Sequence, residues 1–295
     1  MTTMKKLATA LTLSAVSAFA LANAAHADEA PAVKLCTGAK LGNYEYSGQM
    51  IKRVASNLNI EVINTQGSWD NMQKLASGEC DVATVQEDAV MAYKRTNNFS
   101  PVSVANLYQE SLHLICNKAA KVDNLTDLMN TNKKLALGKS GSGPWVTWEN
   151  IKAAEPRYSK VVTSPESGNI AWSQVEQGEL DCALVISGVK SASLVKADAD
   201  FGATTQMVTV RDGDVSSSSL KGMTGKTSLY SKTEIPGGTY KNWAPSGFFG
   251  GKTVETLSVT AKLVASPNLD DDVLSELIGA TKKAMPAILD KVQPK

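Results

Sequence analysis

Two α/β lobes flanking a cleft are the architecture the sequence predicts. Three observations carry it: an internal repeat, a β-α-β-α-β order of segments, and two long apolar runs able to cross between lobes. The repeat pairs residues 75–86 with residues 175–186. Gly78 matches Gly178, Glu79 matches Glu179, Asp81 matches Asp181 and Ala83 matches Ala183, each pair 100 positions apart. Each copy reads as the end of an amphipathic helix, a glycine free to turn left-handed after the last turn, and a short buried strand. A small polar loop precedes each helix, at 65–69 in the first copy and 164–168 in the second. Helix N-termini expose unpaired N–H groups, so two such loops facing a shared space make a cleft suited to a small molecule.

Residues 1–27 read as a secretory leader that is cleaved after Ala27. Lys5 and Lys6 supply the positive end, 7–21 the apolar core, and Ala25-His26-Ala27 the small-residue cleavage site. No other stretch approaches the roughly 18 apolar residues of a spanning helix, which predicts an exported, periplasmic protein. Cys36 lies well past the apolar core and follows Lys34, an arrangement that argues against a lipid anchor. Without Lys5 and Lys6 the 30 basic residues fall to 28 against 29 acidic ones. That near-balance argues against nucleic acid or an anionic membrane as partner. The rest of the chain is long for one core and natural for two lobes.

In chain order, a strand at 33–37 leads into a Gly-punctuated loop, 38–48, whose Tyr44 and Tyr46 are wall candidates. A helix follows with Met50, Ile51, Val54, Ala55 and Leu58 on one face. Strand 61–64, the first repeated helix and strand 80–85, ending in Gln86-Glu87-Asp88, complete a parallel unit with right-handed crossovers. The run 101–117 is long enough to leave one lobe and enter the next, with a hinge at 106–111. His113 alternates within this run, which favours a structural role. A short helix at 125–128 and a strand at 134–138 precede the loop 139–145, where Pro144 opens a helix and Ser142 or Gly143 sits at the cap. Free N–H groups there suit a carboxylate.

The second repeated strand, 181–186, ends in Ser187-Gly188 on the cleft side. A strand at 203–210, an irregular Ser/Gly-rich stretch at 211–233 and a turn at 235–240 lead to the second crossing run, 254–265. The terminal helix, 268–290, turns Val273, Leu274, Leu277, Ile278 and Met285 onto the first lobe, with Pro286 kinking it. Lobe 1 is therefore expected over 28–110 and 256–295, and lobe 2 over 111–255.

Catalytic and metal chemistry find little to work with. His113 is the one histidine beyond the leader, and there is no C-x-x-C pair, no zinc-type His–Cys spacing and no G-x-S-x-G. Gly138-Lys139-Ser140 is not a phosphate-binding loop, because the earlier glycine that motif requires is Lys133. Adjacent Glu87 and Asp88 read as a solvated helix cap rather than as an acid–base pair. The expectation is a non-enzyme without metal or cofactor. Cys36, Cys80, Cys116 and Cys182 allow three disulfide connectivities, which the sequence does not decide; their placement on candidate strands favours pairing within each lobe.

Four stretches in order and spacing resemble one known family: Thr37-Gly38 with Gly42-x-Tyr44-x-x-x-Gly48, residues 75–86, Gly138-x-x-Gly141-Ser142-Gly143, and Ile235-Pro236-Gly237-Gly238-Thr239-Tyr240. The family is the TAXI group of extracytoplasmic solute receptors, which serve tripartite ATP-independent periplasmic (TRAP) transporters. The resemblance runs along nearly the whole chain after the leader. It implies a type II periplasmic-binding-protein fold, hinge closure on a small organic anion, carboxylate or amino-acid-like, and a monomeric receptor delivering it to an inner-membrane TRAP permease. Carried onto this sequence, the pocket would draw on Tyr44, Gly67, Ser68, Gln86, Ser140, Ser142 and Gly143. The neighbouring Trp145 and Ser187 join them as candidates. Lys40 and Lys139 add charge near the mouth, and Pro144-Trp145 stands where the family often has a small Thr-containing helix start. An ABC-type or sensor-linked receptor of the same fold is the alternative.

Overall fold

The 100-residue repeat extends well beyond the helix-glycine-strand unit visible in the sequence. The computed structural model describes residues 30–216, 220–247 and 251–292; the expected leader lies outside them. The first half runs β1 (Ala32–Cys36), α1 (Asn43–Val54), β2 (Asn59–Ile63), α2 (Ser68–Ser77), β3 (Val82–Gln86) and α3 (Glu87–Thr96), followed by the long strand β4 (Val102–Asn117). The second runs β5 (Lys134–Ala136), α4 (Gly143–Ala154), β6 (Val162–Ser164), α5 (Gly168–Gln177), β7 (Cys182–Ser187), α6 (Ala192–Phe201), β8 (Thr205–Val208), α7 (Gly213–Ser216) and β9 (Ser231–Ile235). The chain closes with β10 (Val254–Ala265) and α8 (Asp271–Val292). Helices α1 and α4, like α2 and α5, begin 100 residues apart and have equal lengths.

The repeated residues have physical reasons. Gly78 and Gly178 both end their helices in the left-handed conformation, at φ 79°, ψ 12° and φ 77°, ψ 13°, where a side chain would be strained. The Asp81 carboxylate accepts the Lys34 N–H at 2.8 Å, and Asp181 accepts the Lys134 N–H at 2.7 Å. Each aspartate thus occupies a backbone donor of the neighbouring strand, β1 or β5.

All strands join one sheet in the order β2-β1-β3-β10-β4-β7-β5-β6, with β8 on β4 and β9 on β10. Strands β2, β1 and β3 are parallel, as are β6, β5 and β7. The crossing runs are β4 and β10, antiparallel from Val102↔Ala265 to Ser111↔Ser258. Beyond Ser111, β4 pairs with β7; beyond Ser258, β10 pairs with β9. Both faces of each half are covered. In the first half α1 and α8 pack on one face and α2 and α3 on the other. The second half has one core around Trp148 and Tyr158 and another around Trp172, Trp243 and Tyr240.

Several sequence expectations need correction. The stretch 211–233, expected to be irregular, contains α7 and the start of β9. Glu87 and Asp88, expected as a solvated cap, are both buried. Helix α1 starts at Asn43, inside the expected loop. Gly48 is tolerated in it because the helix crosses β1 so closely that a Cβ would press on the Thr37 and Leu35 side chains. Tyr46 packs toward α8, its hydroxyl directed at the Ala287 carbonyl at 3.5 Å, away from any wall. On α8 the buried positions include Val273, Leu277, Ala280, Ala284, Ile288 and Val292, while Ile278 is 47% exposed. Small residues at 280 and 284 continue the inward stripe that a hydrophobicity count assigned to Ile278. The helix runs unbroken through Pro286.

The disulfides are Cys36–Cys80 and Cys116–Cys182, pairing within each half as the strand placement favoured. The second joins directly opposed residues of β4 and β7. They close loops of 44 and 66 residues, restricting the unfolded chain. Reduction should lower stability by about 2–4 kcal/mol for each bridge. Guanidinium unfolding with and without dithiothreitol would read this as a lower midpoint; coincident curves would show that the bridges contribute nothing.

Candidate ligand-binding cleft

Four helices of the two halves start at the same place. Gly42, Gly67, Gln86 and Ser142 are the N-caps of α1, α2, α3 and α4, and none has a side-chain capping hydrogen bond. Uncapped N-termini leave backbone donors and the positive ends of helix dipoles available. Between them lies a cavity of about 400 Å³. Its wall includes Tyr44, Gly67, Ser68, Gln86 and Glu110 from the first half and Gly143, Pro144, Ser187 and Ser191 from the second, with Lys291 of α8 at the edge.

Of the candidate residues, Tyr44, Gly67, Ser68, Gln86, Gly143 and Ser187 meet on this wall. Ser142 faces an adjoining cavity of about 540 Å³, and its hydroxyl donates to the Leu137 carbonyl at 3.0 Å. The two cavities share Ala39, Pro144, Val185, Ile186 and Ser193. Ser140 and Trp145 line neither. Ser140 is exposed beyond the end of β5, and Trp145 packs edge-on against Trp69 across the cleft, with ring centroids 6.1 Å apart.

The polar wall is a connected set. Ser68 Oγ accepts the Gln86 N–H at 3.0 Å, the Tyr44 hydroxyl lies 3.4 Å from the same Oγ, and it donates to Glu110 Oε2 at 3.0 Å. Burial, then the Glu110 carboxylate, push the Tyr44 phenol well above its ordinary pKa, so it stays a neutral donor. Burial likewise pushes Glu110 up to about 8. The Gln86 side chain is 2% exposed, and both its Nε2 and Oε1 lack partners. An unpaired buried amide costs about 1–3 kcal/mol. Gly143 lies directly against it, and a Cβ there would collide with Gln86 Oε1.

The halves touch around this cavity. The Trp69 N–H donates to the Gly141 carbonyl at 3.3 Å. Asp88 Oδ2 accepts from the Thr147 hydroxyl at 2.7 Å and the Tyr230 hydroxyl at 2.8 Å, and the Arg95 guanidinium donates to Asn150. Glu87 accepts the Met223 N–H at 2.7 Å. The molecule is therefore in a closed conformation. His113 stands outside the cavity, fully buried. Its Nδ1–H donates to the Ser111 carbonyl at 2.9 Å, which leaves Nε2 to accept from the Tyr240 hydroxyl at 3.1 Å. Burial pushes its pKa down to about 4, fitting a neutral structural histidine.

Glu110 and Lys291 were not among the candidates. Glu110 carried a readable signal: Tyr108, Glu110 and Leu112 share one face of β4 by strand alternation, and all three are buried. A charged residue at an inward position of an apolar run marks a site. Lys291 carried none, since only the docking of α8 brings its last turn to the cavity.

A double-wound sheet in two halves, two crossing strands and a cleft at the helix N-termini define the fold of type II periplasmic binding proteins. The chain belongs to the NMT1-like family, whose profile matches residues 35–287. Among solved structures it is similar to an ancestral arginine-binding protein bound to arginine, at 15% identity and TM-score 0.53, covering 88% of this chain and 97% of that one. A putative L-cystine ABC transporter from Listeria monocytogenes is similar at 9% identity and TM-score 0.56, covering 90% and 96%. The GluR0 ligand-binding core from Nostoc punctiforme, in complex with L-glutamate, is similar at 9% identity and TM-score 0.52, covering 89% and 100%.

The buried acid across the cleft makes stability depend on pH. Burial raises Asp88 to about 6, so the folded state holds this proton longer than the unfolded state. Its contribution is fully present below about pH 4 and lost as pH rises through about 6. His113 has the opposite sign: its contribution is present above about pH 6.5 and lost as pH falls through about 4. Asp88→Asn should therefore flatten the decline between about pH 4 and 6 while sparing the acid limb. Melting temperature against pH tests this, and parallel profiles for the two proteins would exclude titration of Asp88 in that window.

Proposed function

We propose that this protein is an extracytoplasmic receptor that closes its two halves over a small amino-acid-like solute and presents it to a membrane permease. The observation that carries the reading is the Gln86 amide, buried and unpartnered on the wall of a cavity between the halves. Such a group is stable there when a ligand fills its hydrogen bonds. The uncapped starts of α1, α2 and α4 suit a carboxylate, and Tyr44, Ser68 and Ser187 add neutral polar contacts. The leader expected at the N-terminus supports an exported protein. Among the described residues no helix is long and apolar enough to cross a membrane.

For the permease, the structural similarity to amino-acid ABC-transporter proteins favours an ABC-type partner. The glycine-rich loop motifs favour a TRAP-type partner. Adjacent genes encoding an ATPase would support the first, and a fused TRAP permease gene the second.

A thermal-shift screen of the mature protein against amino acids, dicarboxylates and 2-oxo acids tests the reading directly. A true ligand at 100 times its Kd should stabilise the protein by about 2.7 kcal/mol; silence across the whole set, after refolding to remove carried-over solute, would reject it. Gln86→Ala should weaken binding of the hit by about 1–3 kcal/mol. Gly143→Val should fold normally yet fail to close, because the new side chain enters the space of the Gln86 amide. Small-angle scattering would then give a larger radius of gyration with ligand than the wild type shows, whereas a wild-type value would remove Gly143 from the closing surface.

A further inference from the structure

We propose that Glu110 is the cation-recognition residue of this cavity and that the solute presents a protonated amine to it. The inference rests on the receptor reading and narrows its ligand class. Glu110 lies on the crossing strand β4, is 5% exposed and lines the cavity. A carboxylate can accept several hydrogen bonds, yet the Tyr44 hydroxyl is the donor that reaches it from the protein. Among the described residues no Lys or Arg lies within ion-pair distance of it. The buried cation nearby, Lys262, is engaged by Glu87 at 3.7 Å and by Asn106.

Lys291 lines the same cavity beyond ion-pair distance of Glu110, and the other titratable groups acting on Glu110 are acidic or neutral. Asp88 adds negative charge from α3, and Tyr44 and Tyr108 face it as phenols. Burial without a cation favours the protonated carboxyl, and a positively charged ligand group is a partner that would ionise it. An anionic ligand group at this point would sit against Glu110; an ammonium would satisfy both charge and hydrogen bonding. The carboxyl end of an amino acid would then lie toward the helix N-termini.

The proposal has a proton signature. Burial leaves Glu110 with a pKa of about 8 before ligand arrives, so near neutral pH the carboxyl is largely protonated. When R–NH3+ docks, the carboxyl O–H bond breaks, the proton leaves to solvent, and a carboxylate–ammonium pair remains. Binding through a protonated carboxyl donating to an anion would release no proton.

The test compares each amino acid with its 2-oxo acid on the mature protein, by calorimetry in phosphate and in Tris at pH 7, for the wild type and Glu110→Gln. The expected result is a binding amino acid whose 2-oxo counterpart binds at least about 30-fold more weakly, with net proton release in the wild type. Glu110→Gln should lose both the discrimination and the release. Equal binding of the 2-oxo acid, proton uptake, or unchanged discrimination in the variant would overturn the assignment and leave the receptor reading standing. Failure of every pair to bind would instead overturn the receptor reading itself. The wild-type arms decide the matter even if the variant is unstable.

Discussion

The antiparallel pairing of β4 with β10 is the constraint on which the rest of this structure depends. Ten residues of β4, from Val102 to Ser111, lie along β10 before each strand continues into the second half with new partners. The halves therefore share a continuous backbone ladder and can move only by bending or twisting where both strands pass. The pairing is irregular next to Lys262 and again between Leu263 and Val264. Such irregularities bend a strand and strengthen its twist. Here they also set Lys262 under the start of α3, where its charge meets Glu87.

Three buried acids gather where these strands meet the helix starts, and each is handled differently. Glu87 has a cation and a backbone donor; Asp88 has two hydroxyls from the opposite half; Glu110 has the Tyr44 phenol and the cavity. Removing water from around a carboxylate is expensive, so these arrangements decide what closure costs. Closing the halves brings Thr147 and Tyr230 to Asp88, which offsets part of that cost from the protein's own groups. At Glu110 and Gln86 the offset must come from what occupies the cavity. A cleft of this kind is stable when closed and filled, which is the energetic requirement of a binding protein that uses hinge motion.

Much of the fold was legible in the sequence. Helix C-terminal glycines, apolar alternation and the limits of β10 are local properties, written in residue types at short spacing. The repeat was legible only in part, because Gly, Asp and Ala recur where the backbone demands them. The paired helices α1 and α4 share length, position and, of their side chains, only Ile51 with Ile151 and Lys52 with Lys152. The candidate site was legible where it depends on loop chemistry: Tyr44, Ser68, Gln86 and Gly143 follow helix starts. Ser140 and Trp145 belong to the same attractive loop, yet the loop presents its backbone and Ser142 to the cavities while those two side chains turn elsewhere.

The sequence by itself determined the β-α-β-α-β order of the first half, the glycine-terminated repeat and the polar loops that open the helices, since each follows from local backbone preference and hydrophobic period; it did not mark β6, α6 or β9. Only the tertiary structure decided which of those loops share a cavity, that Glu110 stands there bonded to a tyrosine hydroxyl, and that the last turn of α8 brings Lys291 to its edge. These depend on the register of β4 against β10 and on how the halves close, which set distances between residues far apart in the chain that no local pattern encodes.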